Sequence, residues 1–537
     1  MKSPGHLESR AAWCVVLLAV GFSCFVRLRL LSLPLERDEG AFAYPAQLLL
    51  EGIFPYKMAY SILKMPGLIL AYVAIISIFG QTIEGIHLGL LFVNTATLIL
   101  LFLIVRRLFD PIAGAVATMT LALLSVGQSV LGIEAHATHF VMLPALGGFL
   151  LLLVAAENRR GAAFYFAGLL FGTAFIVRQP ALFFVIFGLL LIWQNEMRLS
   201  YENRRAAKRT LLFCLGAAVP FALICIAMSM GGVFRRFWFW TVIYVRQYGS
   251  EMPFALGWQA FQKNVVAVIQ PNLPLWLIGS MGLICIGLHK SARRYAFTSV
   301  SFFVCSFLTV CPGFYFRPHY FVQLLPALAL FSGVAVSTAT DFLRNKNISF
   351  VLGGAPVIIF AATWMTSVLW QREFLFIQSP VQACRATYGS NPFPESIPIA
   401  NYIAAHTTPK ERIAVIGSEP QIYFYAHRHC ATGYILIYPL MDRNPIASQM
   451  QQAMISEIIE SNPKYLVLVN VRASWLPGAN SDTTIAHWAE QFCRTNCEIV
   501  GVADIISANR TVYRWDEEAA NYQPRSPSFL TVWKRKG

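Results

Sequence analysis

The stretch AAWCVVLLAVGFSCFVRLRLLSLPLERDEGAFAY, residues 11–44, decides how the chain folds. Residues 11–33 form an apolar run. It is long enough to cross a bilayer core, which takes about 20 helical residues. Arg27 and Arg29 stand near its end and no small-residue cleavage site follows. The segment is therefore expected to be a retained first span, not a removed leader. Directly after it come two adjacent acids, Asp38 and Glu39, where the chain leaves the membrane.

Working outward, similar runs recur at 65–80, 86–105, 111–131, 140–156, 162–177, 180–193, 210–231, 272–288, 295–311, 320–340 and 348–370. Of 537 residues, 56% are hydrophobic and 13% charged, against about 25% charged in soluble domains. The expected fold is a polytopic α-helical membrane protein. The net charge of +15 would point to nucleic acid in a soluble chain. Here the Lys and Arg sit in short loops, where they orient helices, and no nucleic-acid partner is expected.

The basic clusters are Arg106-Arg107, Arg159-Arg160, Arg204 to Arg209, Lys290 to Arg294 and Arg344 to Lys346. All five can be cytoplasmic only if an even number of crossings precedes Arg106. Run 65–80 is short and opens on Lys64-Met65-Pro66-Gly67. It is therefore read as a juxtamembrane or re-entrant helix, tolerated when packed against protein. That leaves about eleven spans, with the N-terminus inside and the C-terminus outside. The outer loops are then 34–85, 132–139, 178–179, 232–271 and 312–319, and the unusual charges gather there.

After Trp370 the texture changes. Residues 1–370 are expected to form a membrane domain and 371–537 a soluble extracytoplasmic α/β domain. Helical stretches near 396–406, 445–460 and 482–493 alternate with strand-like runs at 412–417, 464–469 and 498–506. Neither a Gly-rich phosphate loop nor an internal repeat is evident. Cys384, Cys430, Cys493 and Cys497 fall in this tail, and sequence does not pair them.

Several outer-loop residues carry possible chemistry. Asp38 and Glu39 read either as a helix cap or as a carboxylate pair, one acting as general base on an acceptor hydroxyl. Lys64 either snorkels or holds a phosphate as a point charge. Glu134, His136 and His139 lie within GIEAHATHF, 132–140. They can share a divalent ion or simply bond backbone and headgroups. Arg178 in VRQP, and Arg317 with His319 in FRPH, are interface anchors or functional charges. Arg suits phosphate through its bidentate fork. The loop 232–271 is aromatic, reading as an interfacial helix or a lid over lipid tail and acceptor.

An acidic pair after the first span, a Lys64-x-Pro66-Gly67 element and a string of spans resemble the GT-C class of polyprenyl-phosphate-sugar-dependent membrane glycosyltransferases. The nearest branch is the protein-mannosyltransferase and aminoarabinose-transferase-like group. FRPHYFVQLLPALAL, 316–330, is similar to a segment in bacterial members. The resemblance covers roughly residues 10–340. It implies that Asp38 is the catalytic acid, that Lys64 faces the donor phosphate, that Glu134 serves as a further acid and that the outer loops form the site. Met65 stands where relatives often carry the first of two prolines, and Leu63 where some carry a metal-binding Glu.

The expected function is sugar transfer from a polyprenyl phosphate to a lipid, glycan or protein acceptor on the extracytoplasmic side, with inversion. The expected location is the bacterial inner membrane, in contact with membrane lipids. The catalytic candidates are Asp38, Glu39 and Glu134, and the phosphate-binding candidates Lys64, Arg178 and Arg317. His136, His139 and His319 are accessory or metal candidates. The rivals are a lipid or sugar flippase, disfavoured because transporters place polar groups at the midplane in paired repeats, and a non-catalytic scaffold.

Overall fold

The computed structural model describes residues 6–158, 161–199, 203–287, 290–345, 353–442, 446–478 and 480–536. Arg159-Arg160 and Lys346, counted above among the basic clusters, lie outside the described residues. Among these residues, seven helices are long and apolar enough to cross a membrane, and five apolar helices of 10–17 residues accompany them.

The chain opens with α1 (His6–Arg29), α2 (Arg37–Leu50), α3 (Pro66–Phe79) and α4 (Ile83–Leu108). Then follow α5 (Pro111–Leu124), α6 (Ala137–Asn158), α7 (Gly161–Val177), α8 (Leu182–Leu199) and α9 (Asn203–Met230). Helix α3 has 14 residues and so spans about 21 Å, short of the ~30 Å core. Its first turn abuts the end of α7: a Cβ on Gly67 would lie 2.5 Å from the Ile176 carbonyl oxygen. Its last residue, Phe79, is followed almost at once by the start of α4 at Ile83. With α4 to α7 running alternately up and down, the start of α4 and the end of α7 share one end of the bundle. Both ends of α3 therefore sit there.

The loop expected at 232–271 is largely helical, as Phe234–Trp238, a π-helical turn Phe239–Ile243, Tyr244–Ser250 and Phe254–Ile269. The last continues into Leu273–Cys285, giving one apolar stretch, Phe254–Cys285. The boundary read at 272 falls at the tight turn Gln270–Asn272, while Gln259, Gln262, Lys263 and Asn264 lower the hydropathy of the helix before it.

The tail builds a six-stranded sheet of order β2-β1-β3-β6-β4-β5. Its strands are β1 (Arg412–Ile416), β2 (His429–Cys430), β3 (Tyr465–Asn470), β4 (Cys497–Ser507), β5 (Arg510–Trp515) and β6 (Phe529–Arg535). β1 pairs in parallel with both β2 and β3, while β6 runs antiparallel to β3 and β4. The three strand-like runs became β1, β3 and β4. The near-continuous burial of β1 is that of a covered parallel strand. One buried apolar cluster joins the bundle to this sheet, from Ala19 through Tyr44 and Tyr423 to Val532.

Candidate active site

The acidic stretch folds as it does because Glu36 and Glu39 cap α2 reciprocally. The Glu39 N–H donates to the Glu36 carboxylate at 2.9 Å, and the Glu36 N–H donates to the Glu39 carboxylate at 3.0 Å. This is a capping box. It ties down the two outer acids and leaves Asp38 between them to face a cavity of about 500 Å³.

Lys64, Arg178 and Arg317 line the same cavity, as do Tyr248 and Tyr320. So do Leu436, Tyr438, Asp442 and Leu476 from beyond residue 370. Sequence separations of up to several hundred residues thus converge on one chamber. Burial raises the Asp38 carboxyl, but Lys64, His136 and Arg317 outweigh it and leave the group below its ordinary range. The Tyr320 phenol faces the same cations, Lys64, Arg317 and Arg178, so the cavity's field favours negative charge.

The cations are held differently. Arg317 donates to the Tyr248 hydroxyl at 3.2 Å. Arg178 is buried, donates to the Thr309 carbonyl at 3.1 Å and to Gln323, and lies 4.2 Å from the Tyr320 ring centroid. It therefore contributes its charge across a face partly committed to protein bonds. Lys64 is only partly buried, and its carbonyl accepts from Tyr56 at 2.7 Å.

His136 and His319 stack with ring centroids 4.1 Å apart and 9° between planes. With Asp38 they bring three ligand atoms within 4.8 Å of one another. His136 Nε2 and His319 Nδ1 are buried without a hydrogen-bond partner. Burial holds both rings below the ordinary histidine value, His319 far below. Both are therefore neutral near pH 7, the form that ligates a metal.

Two sequence groupings need correction. Glu39 does not face the cavity. It is fully buried, accepting from Ala135 N–H at 2.6 Å and bonding His87 at 3.1 Å. Nor do Glu134, His136 and His139 form one site. Helix α6 begins at Ala137, so the backbone turns between the two histidines. His139 points into the bundle against Asn94 at 3.1 Å, and Glu134 accepts from Tyr388 at 2.9 Å. Burial, with Glu39 nearby, pushes Glu134 up to about 7.

Sequence reasoning missed Tyr320, Tyr248, Tyr438, Asp442 and Arg37. Tyr320 lies in the quoted FRPHYF segment and was within reach. Tyr438 and Asp442 carried no local signal, because only the docking of the tail brings them to the cavity. That docking is close. A Cβ on Gly40 would lie 2.5 Å from Gln421 N, so only glycine fits there. The Cys430 N–H donates to the Tyr44 hydroxyl at 2.7 Å.

The profile of the dolichyl-phosphate-mannose-protein mannosyltransferase family matches residues 65–225. No curated protein matches by sequence. Among solved structures, ArnT from Cupriavidus metallidurans bound to undecaprenyl phosphate is similar with TM-score 0.59 and 14% identity, covering 97% of this chain and 98% of that one. The apo oligosaccharyltransferase of Archaeoglobus fulgidus is similar with TM-score 0.54 and 13% identity, covering 96% and 75%. The same enzyme in complex with Zn and sulfate gives TM-score 0.54 at 13% identity, covering 94% and 73%. The chain therefore shares the overall fold of these two membrane enzymes, and its residues 65–225 fit the mannosyltransferase profile.

Proposed function

We propose that the protein transfers a sugar from a polyprenyl phosphate to an acceptor hydroxyl, with Asp38 as general base. The observation that carries this is the single cavity holding Asp38 together with Lys64, Arg178 and Arg317. Asp38 takes the acceptor proton as the acceptor oxygen bonds to the anomeric carbon. The bond from that carbon to the phosphate oxygen breaks, and the three cations stabilise the charge developing on the released lipid phosphate. The leaving group needs no proton, so no general acid is required. A single displacement through an oxocarbenium-like state inverts the anomeric centre.

Residues 1–370 act as the transferase domain, with α3 lying at one end of about eleven spans. Residues 371–537 form a domain that closes the cavity. Both the cavity and this domain face the extracytoplasmic side of a bacterial inner membrane. A divalent ion fits Asp38, His136 and His319, whose unpartnered buried nitrogens lack any other bond. Bound there, it would supply Lewis-acid charge beside the phosphate. Glu39 and Glu134 act as supports, not as the base.

The test incubates purified protein in lipid with a panel of labelled polyprenyl-phosphate sugars and a mixed acceptor extract. Release of free lipid phosphate with labelled product supports transfer. Translocation of intact labelled lipid without release would replace it with the flippase reading.

A further inference from the structure

A second hollow of about 660 Å³ opens in the tail domain, beside the reaction cavity. Its floor is the sheet at the ends of β1 and β3, including Ile416 and Leu468 to Arg472. Its far wall is the helix Thr484–Asn496, which presents Ala486, Ala489, Glu490 and Arg494 to the gap. The two alanines leave the space that larger side chains would fill.

Two further observations mark this hollow as a ligand site. First, β1 lies between β2 and β3, and both pair with it in parallel. The chain leaves β1 to one side and then to the other, so the strand order reverses there. The crevice beyond the carboxyl ends of such strands is where open α/β sheets bind ligands. Second, the hollow shares its wall with the reaction cavity. Trp475 and Pro477 line the hollow, whereas Leu476 between them lines the cavity; Met441 and Asp442 are divided in the same way. Leu476, which is exposed and held at φ 49°, stands between the two linings.

The lining says what that ligand is. The Trp475 indole N–H donates to Val469 O at 2.7 Å and the Trp533 N–H to Thr531 Oγ1 at 2.9 Å. Both indoles therefore spend their polar edge on protein and offer faces. Around them stand Asn470, Arg472, Thr483, Glu490 and Arg494, all exposed. Aromatic faces with a fringe of amide, guanidinium and carboxylate groups suit a chain of pyranose rings. Arg494 pairs with Glu490 on the same helix, and a fatty tail would cover these groups without offering them a bond.

We infer that this hollow binds the sugar chain of an extended acceptor, oligosaccharide or glycolipid headgroup, whose terminal hydroxyl reaches Asp38. The inference rests on the proposed transferase reading and names its acceptor class. Binding in the groove orients the terminal sugar without touching the donor.

The experiment applies the full-length protein in detergent to an array of linear oligosaccharides of one to six residues. A parallel measurement follows binding of undecaprenyl phosphate to the same preparation. The expected result is binding that rises with chain length. Trp533→Ala should weaken it by about tenfold, the loss of one stacked face. Arg494→Ala, on an exposed helix position, should weaken it without loss of folding. Neither variant should change lipid-phosphate affinity. Array binding that ignores both substitutions, or is absent while undecaprenyl phosphate binds, overturns the groove. Array binding sensitive to both substitutions, with no lipid-phosphate binding, keeps the groove and removes the transferase reading.

Discussion

Arg37 donates to Glu419 at 2.7 Å and to the Ser418 carbonyl at 2.8 Å, one residue before Asp38. Both side chains are buried, and the guanidinium also lies over the rings of Phe393 and Tyr438. The acid at the heart of the cavity is thus set by the tail domain. Removing one partner of a buried pair costs roughly 3–5 kcal/mol, because the other charge is left uncompensated. Glu419→Gln is expected to lower the melting temperature and the turnover number while donor affinity holds. Arg37→Gln with Glu419→Gln should be less destabilised than the single change. Wild-type turnover in Glu419→Gln would show that Asp38 is positioned without the pair.

Asp38→Asn keeps size and polarity but removes basicity. Expression and donor affinity should stay near normal while transfer falls by about 10²–10⁴-fold, the range of acid–base catalysis. Transfer rate beside donor affinity decides it. Near-normal transfer would hand the base role to another acid.

Lys64→Ala tests donor binding and pH dependence together. One charge-assisted contact to phosphate is worth roughly 1.5–3 kcal/mol, so donor affinity should drop accordingly. Among the groups that lower Asp38, Lys64 is the strongest. Without it the carboxylate loses stabilisation and its pKa rises. The acid limb of the rate profile should therefore move to higher pH. A limb that stays in place separates Lys64 from Asp38, and unchanged donor affinity leaves Lys64 as a membrane anchor.

Metal content discriminates between two histidines three positions apart. Purified protein incubated with zinc and then desalted is expected to retain the ion. His136→Ala should lose it and His139→Gln should keep it. Equal retention in both variants would break the Asp38, His136 and His319 assignment.

Topology can be read with single cysteines near Arg106 and near Ser250, in a background without reactive native thiols. An impermeant thiol reagent applied from outside should label the Ser250 site alone. Labelling at Arg106 would invert the orientation and place the cavity on the cytoplasmic side.

The membrane class and the tail's alternation were legible because each rests on local pattern: run length for spans, and apolar runs separated by helical ones for β1, β3 and β4. Asp38, Lys64, Arg178 and Arg317 were legible as charges beside spans, and they meet in one cavity. Partner choice was not legible. His136 finds His319 and not His139 because a helix starts between the nearer pair. Glu39 looked like the twin of Asp38, yet one position along a helix turns a side chain by about 100°, from the cavity to His87. Strand β6 inserts between β3 and β4, a long-range pairing that no window of sequence announces.

The bond between Arg37 and Glu419 spans 382 positions, and that between Tyr44 and Cys430 spans 386. The acidic segment therefore leaves the ribosome long before its anchors do. Contacts so distant in sequence form late, since loop closure must precede them. A nascent chain can thus complete its spans while the reaction chamber still lacks a wall, and Arg37 stays hydrated until then. The chamber is thus completed late in biosynthesis, and a chain stopped anywhere before Arg412 would be a membrane protein whose Asp38 is not yet set.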